Sequence, residues 1–227
     1  MPQVLLFSGC LGMLLCQFAI FVYAPTEQSL GLIQKIFYLH LPMAWWALIS
    51  FFTLFCASIA YLWKRNAKID NFCAASAEIG VLFSGIALAT GIIWAKRSWG
   101  VWWTWDPRLT TTLVMWFIYA AYLVFRGLDI PAAKKRKLCA VLGILAFLDV
   151  PLVFFSARIF RSIHPSVFAH QSGGLESEML YTLLGCLAAM GLFWAGLLLL
   201  RAKQLQQQNL LAELALTDNI EHWETLK

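Results

Sequence analysis

Ile79-Gly80-Val81-Leu82-Phe83-Ser84-Gly85-Ile86-Ala87-Leu88-Ala89-Thr90-Gly91-Ile92-Ile93-Trp94-Ala95 is the stretch that decides the fold. It carries no charge and no strict alternation of apolar and polar residues, so it reads as a membrane-crossing helix rather than a strand. At about 1.5 Å per residue its length comes to about 26 Å, a little short of a bilayer core of roughly 30 Å. Its ends must therefore recruit flanking residues. Gly80, Ser84, Ala87 and Gly91 recur at helical spacing along one face. A face of small residues lets neighbouring helices approach closely, which places this helix inside a bundle.

Working outward, five further apolar blocks cover residues 4–23, 36–63, 109–125, 138–157 and 179–200, and among all six only 138–157 holds a charge, Asp149. The composition agrees: 61% of residues are hydrophobic and 13% charged, against roughly 45–50% and about 25% in soluble domains. Lipid cannot satisfy exposed backbone groups, and no ten-residue alternating pattern suggests a barrel. The expected fold is all-α: a polytopic membrane protein of six transmembrane helices, read as one integral unit over residues 1–227.

Lys and Arg in the connections give the expected orientation. The side holding both termini carries eleven of them, and the opposite side carries six: Lys35, Lys96, Arg97, Arg108, Arg158 and Arg161. Both termini are thus expected in the cytoplasm, and the net charge of +5 is topological bias rather than a nucleic-acid footprint. The first block is read as a span and not a cleavable signal, because no basic residue precedes it and its apolar run is too long. Six cysteines form no Cys-x-x-Cys pair and read as packing residues. With no Cys-x-x-Cys-His, the chain has no c-type haem attachment motif of its own. Residues 201–227 form a polar tail, read as a solvated extension of the last helix.

One outer loop is unusual. In Ser98-Trp99-Gly100-Val101-Trp102-Trp103-Thr104-Trp105-Asp106-Pro107-Arg108-Leu109-Thr110, four of the chain's eleven tryptophans fall within seven residues. A helical conformation would put Trp99, Trp102, Trp103 and Asp106 on one face; an extended one would align Val101, Trp103 and Trp105. Either makes a flat aromatic surface, fit for an interfacial belt or for a large planar apolar ligand. Asp106 and Pro107 have the chemistry of an N-cap and first residue of the next helix. Arg108 can bind carboxylates or lipid phosphates.

Three of the four histidines fall on that same outer side: His40 near the start of the second span, and His164 and His170 in the third outer connection. Two neutral imidazoles, an aromatic plane and nearby arginines are the parts of a bis-histidine haem site. His170 could serve in place of His164 on these grounds. Zinc fits less well, since no Cys, Asp or Glu beside these histidines completes a tetrahedral set. Asp149, two residues before Pro151 in the fifth span, reads as a side chain satisfying backbone freed by a proline kink.

The tryptophan-rich segment resembles the WWD signature of haem-handling membrane proteins, and its Arg108-Leu109-Thr110 ending resembles the haem exporter protein C branch of cytochrome c maturation. Tyr38-Leu39-His40-Leu41-Pro42 and the segment from Pro151 to His164 are similar to that branch too, with Pro165 as a departure. The resemblance implies His40 and His164 as axial ligands of a non-covalently held haem b, with the WWD loop (Trp99, Trp102, Trp103, Trp105, Asp106, Arg108) binding the porphyrin. It implies a haem-handling role rather than conventional enzymatic catalysis, in a bacterial inner membrane with the site facing the periplasm. Implied partners are a periplasmic haem chaperone, ATP-binding-cassette transporter subunits, a small single-span helper protein and membrane lipid, with no nucleic acid. The competing readings are a cytochrome c haem lyase of the same signature, a membrane cytochrome b and a solute permease.

Overall fold

The computed structural model describes residues 1–28, 30–160, 162–164 and 175–225, without the side chains of 157, 158 and 216–225. Every regular element among them is helical. Helix α1 (Pro2–Phe18) runs on through a π-helical turn (Ala19–Tyr23). A 3-10 turn (Gly31–Ile36) then leads into α2 (Phe37–Lys64). Next come α3 (Ala67–Trp99) and α4 (Pro107–Arg126). Two shorter helices, α5 (Ala132–Ala146) and α6 (Asp149–Ile159), precede the long α7 (Ser177–Thr225). Six helical stretches are long and apolar enough to cross a membrane: Pro2–Tyr23, Gly31–Lys64, Ala67–Trp99, Pro107–Arg126, Ala132–Ser156 and Ser177–Ala215. All six expected spans are present, and the third and fourth do recruit flanking residues.

The chain's own chemistry sets the helix boundaries. Asn66 caps α3 by accepting from the Lys68 backbone N–H at 2.8 Å, and Asp106 does the same for α4 from the Arg108 N–H at 2.9 Å. The capping role expected for Asp106, with Pro107 as the first helical residue, is therefore observed. Gly100 ends α3 at φ +76°, a left-handed conformation that glycine adopts without steric cost. The buried Lys35 ammonium donates to the carbonyls of Ala24 at 2.7 Å and Pro25 at 3.2 Å, closing the turn between the first two spans.

Helix α3 occupies the middle of the bundle, packing on α2, α4 and α7. Its small face is what permits this. Gly80 lies under the ring of Phe51, which stacks on Tyr119 of α4 with centroids 3.6 Å apart. Ser84 and Ala87 are buried beside it. Since lipid tails are as apolar as the side chains, close packing rather than hydrophobic exclusion holds such an interface. At the end of α3 away from the tryptophan loop, buried Asp70 takes a bidentate pair from Arg126 of α4, at 2.8 and 3.0 Å, and Arg136 of α5 lies 3.7 Å away. Glu78 pairs with Arg201 of α7, and Asn71 accepts from Asn209 at 2.9 Å. Several basic residues that sequence marks only as topological charge thus also tie helices together.

The fifth span departs from the expected single helix. It breaks at Phe147–Leu148 into α5 and α6, because Pro151 has no N–H to donate and its ring collides with the carbonyl four residues back, that of Phe147. Tight i to i−3 bonds, Leu148 N to Leu145 O and Val150 N to Phe147 O, carry the chain across the break. Asp149 does not fill the expected role in full: its buried Oδ2 has no hydrogen-bond partner. The polar tail is helical as far as Thr225, as an extension of α7.

Candidate haem site

Four helices and one short strap converge on a cavity of about 860 Å³ at the tryptophan-loop end of the bundle. Its walls include His40 from α2, Trp94 and Trp99 from α3, Trp103 from the loop, Arg108 from α4, and His164. Below these, Ala47, Leu48, Met115 and Val153 give it an apolar floor. A largely apolar cavity of this size with a few convergent polar groups has the form of a site for a large small-molecule ligand.

His40 stands in the first turns of α2, facing α3. Its Nδ1 lies 3.0 Å from Thr90 Oγ1, and its ring meets Trp94 edge-on with centroids 5.9 Å apart. Gly91 makes the approach possible: a Cβ there would come within 3.1 Å of His40 Cε1. The small face of α3 thus ends as a seat for the imidazole.

His164 is held differently. Asp106, only 7% exposed, accepts through Oδ1 from Ser162 Oγ at 3.0 Å and through Oδ2 from the Ile163 backbone N–H at 2.9 Å. The His164 N–H in turn donates to Ser162 Oγ at 3.1 Å. One carboxylate therefore caps α4 and fastens the strap 162–164 beside it. Arg108 Nη1 approaches His164 Nδ1 at 3.2 Å, and since a guanidinium can only donate, Nδ1 accepts.

The tryptophan loop is neither of the two regular forms considered from sequence. Trp99 closes α3, Gly100 turns the chain, Val101 and Trp102 bend, and residues 103–106 run without regular structure into α4. Neither the helical face of Trp99, Trp102, Trp103 and Asp106 nor the extended face of Val101, Trp103 and Trp105 is therefore what the fold produces. Trp99 and Trp103 line the cavity. Trp102, 58% exposed, lies beneath the Lys96 ammonium at 5.6 Å. Trp105, 78% exposed, meets Trp103 in a T-shaped pair with ring centroids 6.1 Å apart.

Of the residues singled out in sequence, His40, His164, Trp99, Trp103 and Arg108 meet at one cavity. Asp106 supports it from behind, and Trp102 and Trp105 face outward beside it. His170 and Arg161 lie outside the described residues. Sequence reasoning missed Thr90, Trp94 and Ser162. Trp94 and Thr90 are one helical turn apart on α3, and Thr90 adjoins Gly91 of the small face, so helical spacing held the signal once His40 was placed opposite.

Residues 1–215 match the family described as Heme exporter protein C. The chain is 31% identical over 164 residues to the heme exporter protein C of Bradyrhizobium diazoefficiens, covering 71% of this chain and 62% of that protein. It is 32% identical over 146 residues to the heme exporter protein C of Escherichia coli K12, covering 63% and 59%. A cytochrome c biosynthesis ccmC-like mitochondrial protein of Marchantia polymorpha is 29% identical over 158 residues, covering 69% and 67%. The matched part spans about three fifths of the length of the two bacterial relatives. By the extent of the family match, from the first span into the extension of α7, this chain belongs to the heme exporter protein C family.

Proposed function

We propose that this protein binds haem b non-covalently, holds it at the periplasmic face of a bacterial inner membrane and hands it to a haem chaperone during cytochrome c maturation. Haem is cargo here, and the whole chain acts as one membrane unit with both termini in the cytoplasm. His40 and His164 are the axial ligands, and Trp99 and Trp103 contact the porphyrin. Arg108 takes a propionate through its planar pair of donors. Trp102 and Trp105, exposed at the rim, are suited to a docking partner. An ATP-binding-cassette complex and a single-span helper protein are the further partners of this reading.

One observation carries it: two imidazoles from distant parts of the chain, four indoles and a guanidinium line a single cavity with an apolar floor. That donor set fits haem, which needs axial nitrogen ligands, flat apolar walls and a cation for its carboxylates. No group of three His, Cys, Asp or Glu among the described residues forms an alternative metal site.

The test is to purify the full-length protein from haem-replete cells and record its absorption spectrum. A low-spin, bis-nitrogen haem spectrum is expected, and a preparation that neither carries haem nor takes it up overturns the reading. Reporter fusions check the orientation: Trp102 is expected outside and Lys135 inside, and the reverse result overturns the periplasmic placement.

A further inference from the structure

We infer that Thr90 is a positioning residue for His40, fixing the imidazole in the tautomer whose Nε2 is bare and ready for iron; this rests on the haem-binding reading above. Thr90 Oγ1 lies 2.9 Å from the Ile86 carbonyl oxygen and 3.0 Å from that of Ala87, both in its own helix. A hydroxyl has a single proton, and this geometry directs it to the helix backbone. What Oγ1 offers to His40 Nδ1, 3.0 Å away, is a lone pair.

Nδ1 must then carry the ring proton. The other assignment, with Thr90 donating to Nδ1, satisfies one bond where the first satisfies two, and it leaves a polar N–H on Nε2. Inside a membrane, where an unmade hydrogen bond has no water to replace it, the two-bond arrangement prevails. Iron binds the nitrogen that has no proton, so a ring held this way presents Nε2 without rearrangement.

The surroundings hold the ring as well as the proton. Gly91 removes the side chain that would otherwise press on Cε1, and Trp94 meets the ring in a T-shaped contact. Thr90, Gly91 and Trp94 lie within five consecutive residues of α3, so one and a half turns of helix shape the seat of a side chain on α2. The same Nδ1–H donation makes the imidazole a more basic ligand, which favours the oxidised iron.

Haem-stripped full-length protein titrated with haemin gives the affinity, redox titration of the loaded protein gives the potential, and melting of the stripped protein reports folding. Thr90→Val and Thr90→Ala are each expected to bind about 10- to 100-fold more weakly and to show a raised reduction potential. Thr90→Ser, which restores the hydroxyl, is expected to return both properties to the wild-type values. A purely structural role would lower the melting temperature and leave the potential where it was. Hydroxyl-less variants with wild-type affinity and potential overturn the inference, as does failure of serine to restore them. If wild-type protein binds no haemin, the haem reading itself falls and this inference with it; if wild type binds and the variants match it, only this inference falls.

Discussion

His40 and His164 face the same cavity but are held by different kinds of structure. His40 belongs to a continuous helix and is seated on a second one, by a hydrogen bond to Thr90, an edge contact with Trp94 and the gap above Gly91. His164 sits on a strap outside the helices, fastened through Ser162 and Ile163 to the Asp106 carboxylate. The protons differ too. Thr90 leaves Nε2 of His40 bare, whereas Arg108 donates to Nδ1 of His164, so a neutral His164 ring carries its proton on Nε2. In the proposed haem complex His40 presents its bare nitrogen as it stands, whereas His164 must first exchange the bond that Nδ1 accepts from Arg108.

The largest effect that can break this comparison is at the histidines themselves. His40→Ala is expected to abolish haem retention, and His164→Ala to leave a reduced amount with a spectrum changed by loss of one nitrogen ligand. Haem content per protein and the absorption spectrum check both, and equal losses would show that the fixed and strap-borne ligands are not distinct. Next comes Asp106. Asp106→Ala removes the cap of α4 and both strap bonds, so it should copy the His164→Ala spectrum and cost about 1 kcal/mol of stability from the cap. Asp106→Asn keeps an oxygen for the Arg108 N–H and Ser162 but turns an NH₂ toward the Ile163 N–H. Its spectrum should fall between wild type and alanine.

The smallest effects separate the tryptophans. Trp103→Ala is expected to weaken haem binding by about 0.5–1.5 kcal/mol beyond lost area, the scale of an aromatic contact. Trp105→Ala, at an exposed position outside the cavity wall, should leave retention unchanged, by the same haemin titration. A larger loss at Trp105 than at Trp103 would move the ligand's plane to the rim of the loop and away from both histidines.

Much of the fold and part of the site are legible in the residues alone. Six apolar blocks of sufficient length leave a chain no alternative to crossing the bilayer as helices, and the small face from Gly80 to Gly91 marks the one that sits centrally. Asp106-Pro107 announces a helix start through local chemistry that needs no distant partner. The break at residues 147–148 is harder to see, because Pro151 kinks some helices and interrupts others, depending on what the neighbours can re-satisfy. The two faces of the tryptophan loop are hidden for a related reason. Regular periodicity predicts who shares a face only while the backbone is regular, and Gly100 ends that regularity at the loop's third residue.

By itself, then, the sequence determined the membrane-spanning helical class, the capped start of α4, and the aromatic and histidine chemistry gathered toward one end of the bundle. All of these follow from local composition and spacing. The tertiary structure decided which tryptophans turn inward, that Asp106 holds the strap from behind, and that Thr90 lies against His40. Those relations join residues 50 or more positions apart, and only the packing of α2 on α3, and of the strap on α4, brings their atoms within hydrogen-bonding reach.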